Sequence, residues 1–323
     1  MPQPTLSDVH INTPLTNMSF AYTAELNTVF DKLFPTLTVQ KKSDAYYTYP
    51  KGNWRRLQAR KRAPGARSVG SGYTVSNDTY NCDVYALHKM IPDQIRDNAD
   101  SVFQLDAEAT RFVTQQIALK HEQEFASTFF ATSTWTGSST GSDIVPGAKW
   151  DTSTGDPIKD IRAQIRAMKN KTGIKPNKMA FGGKAWDVVL DNPAVLDRIK
   201  YGASNRDPAM TNEQILAQIL GLSQILVADE VQNTAEEGAT DSLAPFFTED
   251  SALLVHAAPS PGIMTPSAGY TFSWARSGAA ANSIRVKRMR MEPEESDMVE
   301  ADSSWDSKLI ASDLGVLFVT VDT

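Results

Sequence analysis

A chain of 323 residues with 41% hydrophobic and 22% charged side chains can build a large core without covalent staples. One cysteine, Cys82, and four histidines (His10, His88, His121, His256) exclude an intrachain disulfide, a multi-cysteine zinc knuckle and a histidine-rich metal centre. A net charge of −6 argues against a protein that grips nucleic acid over its whole surface. The longest apolar runs, such as 225–228 and 316–319, are four residues, where a membrane span needs about 20.

The first residues lack the charged-then-apolar pattern of a secretion signal, so a reducing cytoplasm is the expected folding compartment. Residues 1–40 carry four charges and scattered prolines (Pro2, Pro4, Pro14, Pro35) and offer little for a core. They read as an extended arm with a short helix near Thr23 to Phe34. Residues 44–88 read as a long hairpin, with one limb at Ala45–Tyr49 and a return limb alternating through Cys82, Val84, Ala86 and His88. The stretch between them is basic and glycine-rich, too polar to fold on itself and too long for a turn.

A long helix is expected from Asp106, with Asp106 as its cap, to about Phe130. Its stripe is Val113, Ile117, His121, Phe125 and Phe129. A second helix has Asp156 as cap, Pro157 in first position, Ile158, Ile161, Ile165 and Met168 on one face, and Gly173 at its end. A strand at Lys178–Phe181, a helix from Ala185 to about Ile199 interrupted near Pro193, and a helix opened by the capping box Thr211–Gln214 follow. Strands are then expected at Gln224–Ala228, Ala252–His256, Tyr270–Trp274, Ile284–Met291 and Leu314–Val321. Without strict βαβ alternation, the class is α+β.

Charge is segregated. Residues 41–67 hold nine Lys or Arg against one acid, Asp44; residues 207–275 hold nine acids and no Lys or Arg; residues 292–306 hold seven acids and no base. Such blocks suggest contacts between unlike patches of different copies. The basic candidates are Lys51, Arg55, Arg56, Arg60, Lys61, Arg62 and Arg67. The acidic candidates to receive them are Glu294, Glu295, Asp297, Glu300 and Asp302, with a solvated rim and a divalent-ion site as the alternatives. The terminal strands Ile284–Met291 and Leu314–Val321, expected in one sheet, would place the acidic block at a rim.

No catalytic constellation emerges. His121-Glu122 lacks a second histidine four residues on, where Phe125 stands, and His121 lies on the apolar stripe. Gly182-Gly183-Lys184 lacks the leading glycine and the Ser/Thr of a phosphate loop, and Gly70-Ser71-Gly72 lacks the third glycine of a dinucleotide fingerprint. Cys82, with His88 six residues along, reads as a strand cysteine rather than a nucleophile. The acids of 292–302 fit no EF-hand spacing. The expectation is a protein that is not an enzyme, with no cofactor and no metal.

The order of parts resembles the major capsid proteins of tailed bacteriophages, the Hong Kong 97 type fold. The stretches that resemble the family are Asp106-Ala-Glu-Ala-Thr-Arg-Phe-Val, Asp156-Pro-Ile-Lys-Asp-Ile through Thr172-Gly-Ile-Lys-Pro-Asn-Lys-Met, Ala217-Gln-Ile-Leu-Gly-Leu with Ile225-Leu-Val-Ala, and Glu295-Ser-Asp-Met-Val-Glu with Leu309-Ile-Ala-Ser-Asp-Leu-Gly. The resemblance implies an N-terminal arm at 1–40, an extended loop at 41–89, a peripheral domain with the spine helix at 90–180, an axial domain at 181–283 and C-terminal strands of the peripheral domain at 284–323. It implies hexamers and pentamers of this chain in an icosahedral shell around double-stranded DNA, contacted non-specifically. Separate scaffolding, portal and decoration proteins are possible partners. The implied location is the virion capsid, assembled in the host bacterial cytoplasm. An encapsulin-like compartment shell is the alternative, followed by a soluble enzyme with an unrecognised site. Some relatives crosslink a lysine to an asparagine; Lys51 and Lys61 lie in the corresponding loop, without a matched partner.

Overall fold

The computed structural model describes residues 28–98, 104–202, 213–262, 264–276 and 284–322. Its strands are β1 (Thr36–Val39), β2 (Ser43–Thr48), β3 (Ser76–Asn81), β4 (Asp83–Pro92), β5 (Lys178–Gly182), β6 (Gln224–Ala228), β7 (Val231–Asn233), β8 (Leu243–Pro245), β9 (Ala252–Val255), β10 (Gly269–Trp274), β11 (Arg285–Met291), β12 (Ser296–Leu309) and β13 (Gly315–Phe318). The main helices are Leu105–Phe129, Pro157–Thr172, Gly183–Asp191, Pro193–Gly202 and Glu213–Leu220. The capping-box residues Thr211 and Asn212 lie outside the described residues, as does the Thr23–Asn27 part of the expected arm helix.

Local chemistry accounts for the helix ends. Asp156 Oδ1 accepts the Lys159 N–H at 2.9 Å, Pro157 starts the helix where no N–H is needed, and Gly173 closes it in the left-handed region (φ 76°). The 25-residue helix departs from expectation at its start. Gln104 is its N-cap and makes no side-chain cap. Asp106 instead accepts from Arg96 at 3.0 Å and pairs with Arg288 at 3.2 Å, so its carboxylate serves ion pairs and not the helix end.

Two sheets flank this long helix. The four-stranded sheet runs β13-β9-β5-β6. One face carries Met179, Phe181, Leu254 and Phe318 against Ile158, Ile161, Met168, Val189 and Leu216 of the shorter helices. The other carries Ala180, Leu226, Leu253 and Leu317 against Phe125 and Phe129 of the long helix. The five-stranded sheet is built on the 14-residue β12, with β4 along one edge and β11 and β10 along the other, β1 extending from β10 in parallel. There Ile91, Val286, Val299, Ala301 and Trp305 pack on Ala109, Val113 and Ile117. The long helix thus serves both sheets, one with each half, which is why its buried positions run from Ala109 to Phe129.

Three expectations change. β2 pairs with β3, not with Cys82–His88; β4, which holds the alternating stretch, pairs with β12 over ten residues. A ribbon standing in water needs no apolar alternation, so the polar Ser76–Asn81 serves as the return limb. The segments Ile284–Met291 and Leu314–Val321 fall in different sheets: β11 pairs with β12, and β13 with β9. β10 also joins β12, so each sheet mixes segments from the spans expected for the peripheral and axial domains. The arm carries core: Val29, Leu33 and Phe34 are fully buried, and Phe34 meets the Phe125 and Phe129 rings at 5.0 and 4.6 Å.

Candidate functional site

The basic stretch forms a doubled-back loop at the end of the β2–β3 ribbon. Its limbs touch through Asn53 Nδ2 donating to Thr74 Oγ1 at 2.7 Å, Ser71 donating to Gln58, and Trp54 against Tyr73 with ring centroids 5.4 Å apart. Lys51, Arg55, Arg56, Arg60, Lys61, Arg62 and Arg67 are all exposed. Two of them touch their own chain: Lys51 pairs with Asp313, and the Arg55 guanidinium occupies the space beside Gly173. Large apolar side chains stand in water between the charges. Leu57 is 100% exposed, and Trp54, Val69, Tyr73 and Val75 are also exposed. Together they make an apolar surface of the kind that marks an interaction site.

The acidic candidates divide. Glu294 and Glu295 sit exposed at the tip of the β11–β12 hairpin, where Glu295 takes a left-handed turn conformation (φ 41°). Asp297, Glu300 and Asp302 are not at a rim: they lie on β12 and pair within the chain. Asp297 accepts from Arg288 at 2.6 Å and pairs with Arg96 at 2.9 Å; Glu300 accepts from Lys287 at 2.9 Å. Asp302 accepts from Arg285, Lys287 and Arg276 at 2.5–2.9 Å. Burial pushes the Asp302 carboxyl up, but hydrogen bonds from Arg285 and Lys287 and their positive charge outweigh it and hold it below the usual carboxylate range.

The residues that sequence reasoning missed are Arg285, Lys287, Arg288 and Arg290 of β11. The signal was present: a hairpin centred on Pro293 and Glu294 sets Arg285 across from Asp302, Lys287 from Glu300 and Arg290 from Asp297. The divalent-ion alternative finds no support in this geometry, because these carboxylates already hold basic side chains.

The side of the five-stranded sheet away from the long helix has three zones. At one end the ribbon root covers Phe272, with Tyr80 stacked on it at 4.6 Å and Cys82 beside them. Burial pushes the Cys82 thiol up to about 12, which removes its nucleophilic form. The middle holds the Asp302 network. At the other end a row of half-buried methionines crosses three strands, Met90 beside Met298 and Met298 beside Met289.

The remaining candidates resolve into packing. His121 lies between Phe30 and Trp305, with ring centroids at 3.8 and 4.3 Å, and burial lowers it to about 3. Glu122, also buried, accepts the N–H groups of Val29 and Phe30 at 2.9 and 3.3 Å and so ties the arm to the long helix; burial raises it to about 7. Gly182 is a close approach, since a Cβ there would stand 2.5 Å from the carbonyl oxygens of Thr248 and Glu249. Lys184 pairs with Asp322. Among the described residues no helix is long and apolar enough to cross a membrane, and no cluster of three or more metal-ligating side chains occurs.

The family model for phage major capsid protein E matches residues 140–303. The chain is 25% identical over 240 residues to the major capsid protein of Burkholderia phage BcepMu, covering 73% of this chain and 75% of that one. A phage-related protein from Bordetella bronchiseptica RB50 superposes with a TM-score of 0.71 at 20% identity, over 97% of this chain and 98% of that one. The asymmetric unit of the bacteriophage PhiM1 mature capsid gives 0.59 at 12% identity, over 99% and 91%.

Proposed function

The chain belongs to the phage major capsid protein E family, and we propose that its copies assemble as hexamers and pentamers into an icosahedral shell around double-stranded DNA. The protein is a major capsid protein of a phage, with the Hong Kong 97 type fold, and its copies associate with one another as a shell. The extended loop is the observation that carries the finer reading. Leu57 is wholly exposed, Trp54 and Tyr73 largely so, and seven basic side chains surround them. A monomer gains nothing from this arrangement, whereas a neighbouring subunit that covers the loop buries its apolar surface and meets its charge. Beyond the footholds at Lys51 and Arg55, the loop lies on the adjacent copy.

The arm, extended loop, peripheral domain and axial domain keep the proposed spans 1–40, 41–89, 90–180 with 284–323, and 181–283. DNA is held weakly and without sequence preference, because the chain is acidic overall and its strongest basic segment is committed to subunit contacts. Assembly in the host cytoplasm, with portal, scaffolding or decoration proteins as separate partners, completes the proposal. The phage family match favours a genome container over a cargo-enzyme compartment. Negative-stain microscopy of the purified protein tests the shell. Closed particles are expected, and dispersed monomers under all assembly conditions would overturn it. Nuclease-protected DNA in particles from infected cells is expected in place of a packaged enzyme.

A further inference from the structure

The loop needs a seat, and the five-stranded sheet offers one. On the side away from the long helix, Met90, Met298 and Met289 stand side by side across β4, β12 and β11, with Met291 next along β11. All four are half-buried, and none belongs to the apolar clusters that the described residues form. Methionine is flexible and polarizable and packs well on aromatic rings. Glu292, Glu294 and Glu295 stand exposed at the same end of the hairpin.

A chain cannot fill this seat with its own loop. The loop's ribbon is rooted at the other end of β12, where the Asn81 N–H donates to Asp306 at 2.8 Å and Tyr46 and Tyr80 pack on Phe272. Lys51 on Asp313, beyond the end of β12, carries the loop onward in that direction. The methionines lie at the Ser296 end, roughly 45 Å away along a 14-residue strand. Complementary patches at opposite ends of one molecule meet head to tail between copies, and such contacts close into rings.

We propose that the methionine row Met90–Met298–Met289, with Glu294 and Glu295 at its edge, is the surface on which the extended loop of a second copy docks. Trp54, Leu57 and Tyr73 cover the methionines, and Arg56, Arg60 and Arg62 meet the glutamates. This rests on the shell reading above and names the surface that reading leaves open.

A photoreactive benzophenone side chain at Leu57, activated in assembled particles, tests it. An intermolecular crosslink to Met90 or to peptide 285–300 is expected. Crosslinks confined to another surface, such as the acidic β7–β8 hairpin, would overturn it while leaving the shell intact. Peroxide oxidation gives a second readout. In particles Met90, Met289 and Met298 should oxidise several-fold more slowly than in free subunits, with the exposed Met264 as the internal reference. Equal rates in both states reject the docking surface; failure to form any particle rejects the shell reading itself.

Discussion

Asp302 shows how one carboxylate can organise a sheet. It is almost wholly buried and holds Arg285, Lys287 and Arg276, so its removal leaves cations in a poorly solvated site. Asp302→Ala should destabilise the subunit by about 3–5 kcal/mol, read as a lower denaturation midpoint in urea. Its depressed acidity gives stability that is present above the unfolded value and lost as pH falls through the folded one. Glu122 has the opposite sign. Its carboxyl is raised to about 7, so the part of arm docking that depends on its protonated form is complete below about pH 4.5 and lost as pH rises through 7. Glu122→Gln keeps an oxygen for the Val29 and Phe30 N–H groups. It should flatten the pH dependence of arm protection between pH 5 and 8, measured by hydrogen exchange at those two amides.

At the scale of elements, the helix end at Gly173 links the spine region to the loop. Its backbone is left-handed, and a Cβ there would collide with the Arg55 guanidinium. Gly173→Ala should cost about 1–2 kcal/mol from backbone strain alone and should also dislodge Arg55. Limited proteolysis should then cut faster at the loop's arginines; unchanged cleavage with lowered stability would show that Arg55 is not a foothold. The β11–β12 hairpin holds its register through three opposite-charge pairs, so its acids are structural and its tip alone reaches outward.

For the whole molecule, assembly is a problem of small contacts repeated many times. Replacing Arg55, Arg56, Arg60 and Arg62 with Glu should block particle formation while leaving subunit helicity intact by circular dichroism. Each exposed pair is worth only about 0.2–1 kcal/mol, but the contact recurs around every ring. Particles should also loosen as salt is added, since exposed charges are screened beyond about 8 Å at physiological ionic strength. Reversing Glu294 and Glu295 to Lys should weaken particles, and reversing the loop arginines as well should partly restore them. Purely additive damage in light scattering would place the loop elsewhere.

Much of this could be read from residues alone. Caps and periodicity are local: Asp156, Pro157 and Gly173 mark their helix without any knowledge of its neighbours, and the Val113-to-Phe129 spacing marks the long one. The run of Arg and Lys between two limbs announced a loop too polar to pack on itself, and the order of such parts pointed to a capsid subunit. Which strand lies beside which was not local, and only the tertiary structure decided it. β4 left the ribbon for β12 because Tyr85 stacks on Trp305 and Ile91 packs under the long helix, contacts more than 200 residues apart. The same register decided the fate of the acids. Asp297, Glu300 and Asp302 look like surface charge in a list of residues, yet β11 sets a basic side chain opposite each, and burial in the sheet makes those pairs obligatory. The arm's Val29, Leu33 and Phe34 became core for the same reason: an apolar side chain in a polar stretch is silent until a distant helix offers it a place.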